Sequence, residues 1–192
     1  MSPILAPIVE GHGEVRAVPV LLRRIALEVF GCHVTVSSPW RLPVNLMHGE
    51  GLAPIVHVLA ERVGESGGVI VLRDADDDDP NETRSGLNQL LHELAPERAA
   101  AAVAVREFEA WFLGSIVSLR SHRSVRHDAS FEGDPEGKRD AKGALSAQMT
   151  ESYRPTLHQP SFAAAMDIEM ARSRCPSFGL LVSEVGRLLS DD

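Results

Sequence analysis

The chain has 192 residues, of which 44% are hydrophobic and 24% charged, and its formal net charge is −8. This size fits one globular domain with room for an extension. Only Cys32 and Cys175 are present, which excludes a disulfide framework. The acidic balance argues against non-specific nucleic-acid binding, because phosphate contacts require Lys and Arg.

The sequence also carries no membrane or export signal. No apolar run approaches the ~20 residues that span a bilayer, and the N-terminus lacks the basic and apolar regions of a secretory signal. Two distant cysteines without a zinc pattern fit a reducing compartment. We therefore expect a cytoplasmic protein with no membrane partner.

Apolar runs with strand character alternate with stretches of helical spacing up to residue 119. The predicted strands cover 4–9, 33–38, 69–72 and 101–105, and the predicted helices cover 14–30, 51–63, 81–94 and 107–119. Strands that alternate with helices indicate a parallel sheet with helices on both faces. The fold class predicted here is therefore α/β, with a mostly parallel four-stranded sheet.

The character of the chain changes at residue 120. Residues 121–142 are polar and predict a loop, after which helices are expected at about 138–151, 160–170 and 177–190. Pro155, Pro160 and Pro176 are expected to separate these helices. We interpret 1–119 as an α/β core and 120–192 as a loop plus helical C-terminal extension packed on that core.

Three of the four predicted strands end in acid. Glu10 follows the first strand, Asp74 and Asp76 follow the third, and Glu107 and Glu109 follow the fourth. Ligands of parallel sheets bind at the carboxyl ends of the strands. Residues two apart on an extended segment point the same way, so Asp74 and Asp76 can reach one ion. Mg²⁺ prefers carboxylates, water and phosphate oxygens, so the sequence predicts Mg²⁺ or Mn²⁺ at this edge.

Each motif also has a purely structural interpretation. Glu10-Gly11-His12-Gly13-Glu14 is equally a strand-to-helix turn, and Glu107 and Glu109 equally favour a helix N-terminus. We interpret Asp77, Asp78 and Asp79 as solvated or helix-capping acids. The candidates for contact with a phosphate backbone are Arg73, Arg120, Arg123 and Lys142. A solvated basic surface is the alternative for these residues.

The acidic motifs resemble the TOPRIM domain of topoisomerases, bacterial primases and the nucleases of the overcoming-lysogenization-defect family. The matching runs are Ile8-Val9-Glu10-Gly11 and Asp74-Ala75-Asp76, and the form Glu10-Gly11-x-x-Glu14 is closer to the nuclease branch. The chain as a whole resembles the bacterial family known as domain of unknown function 4276. That resemblance rests on Val9-Glu10-Gly11-x-x-Glu14, Arg73-Asp74-x-Asp76, Glu107 to Leu113, and a later Lys142, Tyr153 and Pro176-Ser177-Phe178.

The resemblance implies a TOPRIM-like, Rossmann-like fold and metal-assisted phosphoryl transfer. Asp74 and Asp76 would hold the metal ion, and Glu10 would be a ligand or the general base. Glu14 would be a second ligand or would orient the others, while Glu107 and Glu109 could add carboxylates. The implied function is a nuclease acting on DNA or RNA, in phage defence or nucleic-acid repair. The alternative is a non-catalytic TOPRIM-like subunit that binds a partner protein or nucleotide.

Overall fold

The computed structural model describes residues 2–190, and within them it forms one mixed α/β unit. The strands are β1 (Ile4–Val9), β2 (Thr35–Val36), β3 (Trp40–Arg41), β4 (Gly67–Asp74) and β5 (Ala99–Ala104). The helices are α1 (Glu14–Phe30), α2 (Gly49–Val63), α3 (Pro80–Leu94), α4 (Glu109–Gly114), α5 (Ala141–Ala147), α6 (Pro155–Ala165), α7 (Ile168–Arg174) and α8 (Pro176–Leu189). Short 3₁₀ helices cover Val44–Leu46 and Ile116–Ser121.

The sheet is parallel throughout, with the order β2-β1-β4-β5 and with β3 also paired to β1. The α/β class and the parallel sheet are therefore confirmed, but the prediction of four strands was wrong by one. The predicted strand 33–38 is shortened to β2, and β3 is a further short strand beyond it, along the same edge of β1. Pro39 lies between them and has no N–H for a strand ladder, which accounts for the break.

Helices bury both faces of the sheet. Along β4, Ile70 and Leu72 pack into the apolar cluster that includes α1, α4 and α8. Val69 and Val71 point the other way, into a second cluster with α2 and α3. A strand buried on both faces requires an uninterrupted apolar run, and the β4 sequence supplies one.

The two central strands, β1 and β4, lie side by side with Val9 opposite Leu72. From β1 the chain passes through α1 on one face to the β2 edge, and from β4 it passes through α3 on the other face to β5. The segments that follow β1 and β4 therefore run in opposite directions, and a crevice opens between them at the carboxyl ends of these two strands. Such switch points are where α/β sheets bind ligands.

The C-terminal region differs from its predicted elements. The helix predicted at 160–170 was wrong, because α6 begins at Pro155 and a separate α7 follows. Pro155 occupies the first helical positions, where its fixed φ is favourable. Pro160 lies inside α6 instead of separating two helices. The Asp167 side chain accepts a hydrogen bond from Met170 N and so begins α7.

Other predicted helices were too long. The helix expected at 107–119 is the short α4 followed by a 3₁₀ helix, and the helix expected at 138–151 is α5 alone. Helix α6 packs against α1, and α8 packs against β5. Across 2–190, no helix has both the length and the apolar character needed to cross a bilayer.

Candidate functional site

A cavity of about 400 Å³ lies at the crevice between β1 and β4. The predicted site residues that line it are Glu10, Glu14, Asp74, Asp76, Glu107, Glu109 and Lys142. The remaining lining residues are Gly11, His12, Gly13, Pro155, Thr156 and Gln159. The fold therefore brings together acids from three strand ends and residues from α5 and α6.

The turn between β1 and α1 is organised by Glu14. Its Oε2 accepts hydrogen bonds from the backbone N–H groups of Glu10 and Gly11, both at 3.2 Å. The side chain is only 4% exposed. Burial, and then the negative charges of Glu10 and Glu109, raise the pKa of Glu14 to about 7. Glu14 thus fixes the turn and contributes negative charge to the cavity at higher pH.

The end of β4 presents Asp74 to the cavity. Asp74 Oδ1 accepts a 2.9 Å hydrogen bond from Phe108 N. Burial raises the pKa of Asp74 well above its usual value, and the charges of Glu14, Glu109 and Glu10 raise it further. Burial destabilises the charged form of Asp74, so a nearby cation would strongly stabilise the Asp74 carboxylate.

The backbone beyond β4 is strained. Asp76 has φ of 49° and Arg106 has φ of 67°, both in the left-handed region. The two residues face each other, because Asp76 N donates a 2.9 Å hydrogen bond to Arg106 O. Such conformations in residues other than glycine are uncommon and concentrate at functional sites.

Glu10 leaves one oxygen available. Its Oε2 is buried and has no hydrogen-bond partner among the described residues. Burial, followed by the charge of Asp76, raises the pKa of Glu10, while the charge of Arg73 opposes that shift. A buried acceptor without a donor is costly, so this oxygen is suited to a cation or to a bound water.

Glu107 and Glu109 have different surroundings. Glu107 Oε2 accepts a 2.7 Å hydrogen bond from Lys142 N and so ties the start of α5 to the segment between β5 and α4. Glu109 is 2% exposed, and its Oε1 accepts a 3.2 Å hydrogen bond from Gln159 Nε2. Glu107 therefore has a structural contact that the sequence did not predict, and Glu109 is joined to α6.

The donor set favours a hydrated hard cation. Within residues 2–190, no three His, Cys, Asp or Glu side chains are grouped so as to ligate a metal ion directly. Backbone N–H groups already engage oxygens of Glu14 and Asp74. Mg²⁺ keeps several waters when it binds to one or two carboxylates. A Mg²⁺ or Mn²⁺ ion that retains waters would fit these residues, since the unpartnered Glu10 Oε2 is open to a hydrogen bond from such a water.

The neighbouring aspartates have structural contacts. Asp79 Oδ1 accepts hydrogen bonds from the N–H groups of Asn81 and Glu82, which confirms its interpretation as a cap, here of α3. The exposed Asp78 pairs with Arg73 at 3.0 Å. Asp77 pairs with Arg106 at 2.9 Å and with Arg139 at 3.1 Å.

Of the four basic candidates, Lys142 lines the cavity and the other three do not. Arg73 Nε donates to Asp74 O at 3.0 Å, and Arg120 Nε donates to Ala129 O at 2.7 Å. Arg123 is exposed on the loop that follows the 3₁₀ helix. Their contact with a phosphate backbone stays a prediction.

The sequence did not indicate Gln159 as a site residue. It lies on the buried face of α6 beside His158, next to the apolar Phe162 and Ala163. Polar residues on an apolar helix face are an informative signal. That signal was lost because the helix was predicted to begin at Pro160, one residue too late to include Gln159.

A second cavity, of about 440 Å³, lies at the opposite edge of the sheet beside Arg98 and Arg187. Both arginines bind backbone: Arg98 donates to Gly64 O, and Arg187 donates to the carbonyls of Glu97 and Ala99. These contacts tie α8 and loop segments to the sheet. This cavity is slightly larger, but it lacks a converging set of buried acids.

Comparison with known proteins identifies the family. No curated protein and no solved structure matches the chain. The model of one family, described as Domain of unknown function (DUF4276), matches residues 9–186, which include every acidic residue of the cavity. The chain therefore belongs to the DUF4276 family.

Proposed function

We propose that this protein is a TOPRIM-like, divalent-metal-dependent nuclease that cleaves phosphodiester bonds of DNA or RNA. The observation that carries the proposal is the meeting of Glu10, Asp74 and Asp76 around one cavity at the switch point of a parallel sheet. Burial and mutual repulsion raise the pKa of Glu10 and Asp74. A divalent cation is the ligand that offsets such repulsion.

The TOPRIM assignment is supported by the order of the motifs and by where they lie. Glu10-Gly11-x-x-Glu14 spans the turn after β1, and Asp74-x-Asp76 spans the end of β4, the neighbouring strand. Both motifs therefore face the same crevice, as the resemblance requires.

Asp74 and Asp76 would hold the metal ion, and Glu109 would add negative charge from the start of α4. When bound, Mg²⁺ or Mn²⁺ activates water and offsets charge on a phosphate oxygen. Phe108 N keeps one Asp74 oxygen in place, which leaves the second oxygen to face a ligand. Glu14 keeps the β1–α1 turn in shape, so that Glu10 stays directed at the same cavity.

Glu10 is the proposed general base. Its Oε2 would accept a proton from the attacking water, because that oxygen has no partner among residues 2–190. Lys142, at the rim of the cavity, would contact a phosphate of the substrate.

The test is cleavage of single- and double-stranded DNA and RNA in Mn²⁺ by the full chain. The wild type is compared with an Asp74→Asn/Asp76→Asn variant and with Asp79→Asn, which keeps a cap on α3 and leaves the cavity unchanged. We expect cleavage by the wild type and by Asp79→Asn, and none by the double variant. Equal cleavage by all three proteins would overturn the proposal.

A further inference from the structure

We infer that Gln159 of α6 is a positioning residue of the acidic site, holding Glu109 through its amide nitrogen and offering its amide oxygen to a water of the bound cation. The inference rests on the proposed function and deepens it. It assigns part of the site to the C-terminal helices, outside the sheet motifs that the sequence indicated.

The first support is an incomplete hydrogen-bond pattern. Gln159 is 4% exposed, and its Nε2 donates to Glu109 Oε1 at 3.2 Å. Its Oε1 is buried and has no partner among the described residues, although the side chain lines the cavity. Buried amide oxygens are normally satisfied. An acceptor left unsatisfied on a side chain that lines the cavity can accept a hydrogen bond from a donor bound there.

The second support is that the position of Gln159 is fixed. Its Oε1 lies over the β1–α1 turn so closely that any Cβ at Gly13 would collide with it. At the other end of α6, Arg24 Nη1 donates to Ala163 O at 2.9 Å and to Met166 O at 2.7 Å. Helix α6 thus lies close against the β1–α1 turn at Gln159 and is hydrogen-bonded to α1 at its C-terminal end, so the amide of Gln159 is preorganised before any ligand binds.

The third support is chemical. Waters bound to Mg²⁺ or Mn²⁺ are hydrogen-bond donors, and an amide oxygen accepts from them without adding charge. A carboxylate at the same place would add to the repulsion around Glu14, Asp74 and Glu109. Replacing a residue that supports a metal ligand or a metal-bound water typically weakens metal binding by about 10–100-fold.

The test is calorimetric titration of the full chain with Mn²⁺, together with urea unfolding in chelator. The proteins are the wild type, Gln159→Leu, Gln159→Glu and the control Gln89→Leu, which changes an exposed glutamine on α3. We expect Gln159→Leu to weaken Mn²⁺ binding by about 10-fold or more, and Gln89→Leu to leave it unchanged. Gln159→Glu should bind Mn²⁺ more tightly yet be less stable in chelator, because it adds negative charge beside Glu109.

If Gln159 only stabilised the fold, Gln159→Glu would not both tighten Mn²⁺ binding and lower the free energy of unfolding in chelator. Unchanged Mn²⁺ affinity in Gln159→Leu, with binding intact in the wild type, overturns this inference alone. If Gln159→Leu does not fold, unchanged affinity in Gln159→Glu overturns it instead. A wild type that binds no Mn²⁺ overturns the proposed function and this inference together.

Discussion

The backbone N–H of Phe108 donates a 2.9 Å hydrogen bond to Oδ1 of Asp74, across a separation of 34 positions in the chain. The Phe108 ring is buried, with its centroid 4.9 Å from that of Trp111 and 5.4 Å from that of Phe112. The orientation of Asp74 is therefore set by an aromatic core. The same short segment carries Glu109 into the site, so one local structure positions two carboxylates.

Replacing Glu14 with Gln should stabilise the metal-free protein at pH 8. The pKa of Glu14 is about 7 in the fold, against an ordinary value of 4.5, so the native state binds this proton more tightly than the unfolded chain. Its contribution to stability is therefore lost as the pH rises from about 4.5 through 7. Gln keeps an acceptor for the N–H groups of Glu10 and Gly11 and removes the charge.

We expect Glu14→Gln to raise the midpoint of thermal unfolding in chelator at pH 8 by roughly 2–6 °C. At pH 5, where Glu14 is protonated in the native state, the two proteins should unfold at nearly the same temperature. A stabilisation that is equally large at pH 5 would show that the charge of Glu14 is not its cause.

Replacing Gly13 with Ala should destabilise the protein by about 1–3 kcal/mol through overpacking. Gly13 has φ of −69°, which any residue adopts, so the effect would come from the clash with Gln159 Oε1. The measurement is urea unfolding of Gly13→Ala, Gln159→Ala and the double variant. Because Gln159→Ala removes the clashing atom, the double variant should recover part of the loss.

The matched control is Gly86→Ala in α3, where an added Cβ meets nothing within 4 Å. That change should stabilise the protein by up to about 1 kcal/mol, because alanine favours a helix more than glycine. If the losses in the free energy of unfolding caused by Gly13→Ala and Gln159→Ala simply added in the double variant, the close contact between α6 and the β1–α1 turn would be contradicted.

Glu136 should anchor the loop that precedes α5. Its carboxylate accepts hydrogen bonds from Ser177 N at 3.0 Å and from the Ser177 hydroxyl, at the start of α8. Trp111 Nε1 donates to the same hydroxyl at 2.9 Å. Glu136→Ala leaves the buried N–H and hydroxyl of Ser177 without their acceptor and should lower the free energy of unfolding by roughly 1–3 kcal/mol. Glu132→Ala, an exposed change in the same loop, should cost little.

Unfolding of the Glu136 variants can be followed through the fluorescence of Trp111, which is fully buried, in a Trp40→Phe background. Trp40 is 49% exposed, so its replacement removes a signal that reports little on the core. Equal unfolding midpoints for Glu136→Ala and Glu132→Ala would contradict the anchoring role.

Much of the sheet and its acidic edge could be predicted from the sequence. The apolar run of β1 and the helical spacing of apolar residues in α1 are local patterns that the sequence shows directly. Gly31, with φ of 63°, ends α1 as expected. The convergence of Glu10 with Asp74 followed from topology alone, because parallel strands end at one edge. This required no knowledge of side-chain contacts.

The rest depended on contacts between distant parts of the chain. Strands β2 and β3 have two residues each, which is too few to show the alternation of apolar and polar residues that marks a strand. The sequence therefore did not show two separate strands on either side of Pro39. Either Pro155 or Pro160 could begin a helix, and local sequence does not distinguish them. The bond from Gln159 to Glu109 spans 50 positions, so only the packing of α6 on α1 shows it.

The most direct test of the account is the binding of Mn²⁺ to the full chain, measured by the loss of the free-ion signal in electron paramagnetic resonance. We expect binding by the wild type and by Asp79→Asn, and at least about 100-fold weaker binding by Asp74→Asn, because even residues that only support metal ligands change affinity by about 10–100-fold. Asn at position 74 can still accept the hydrogen bond from Phe108 N, so the fold should be retained. No binding by the wild type, or equal binding by Asp74→Asn, would contradict a cation site at the carboxyl ends of β1 and β4.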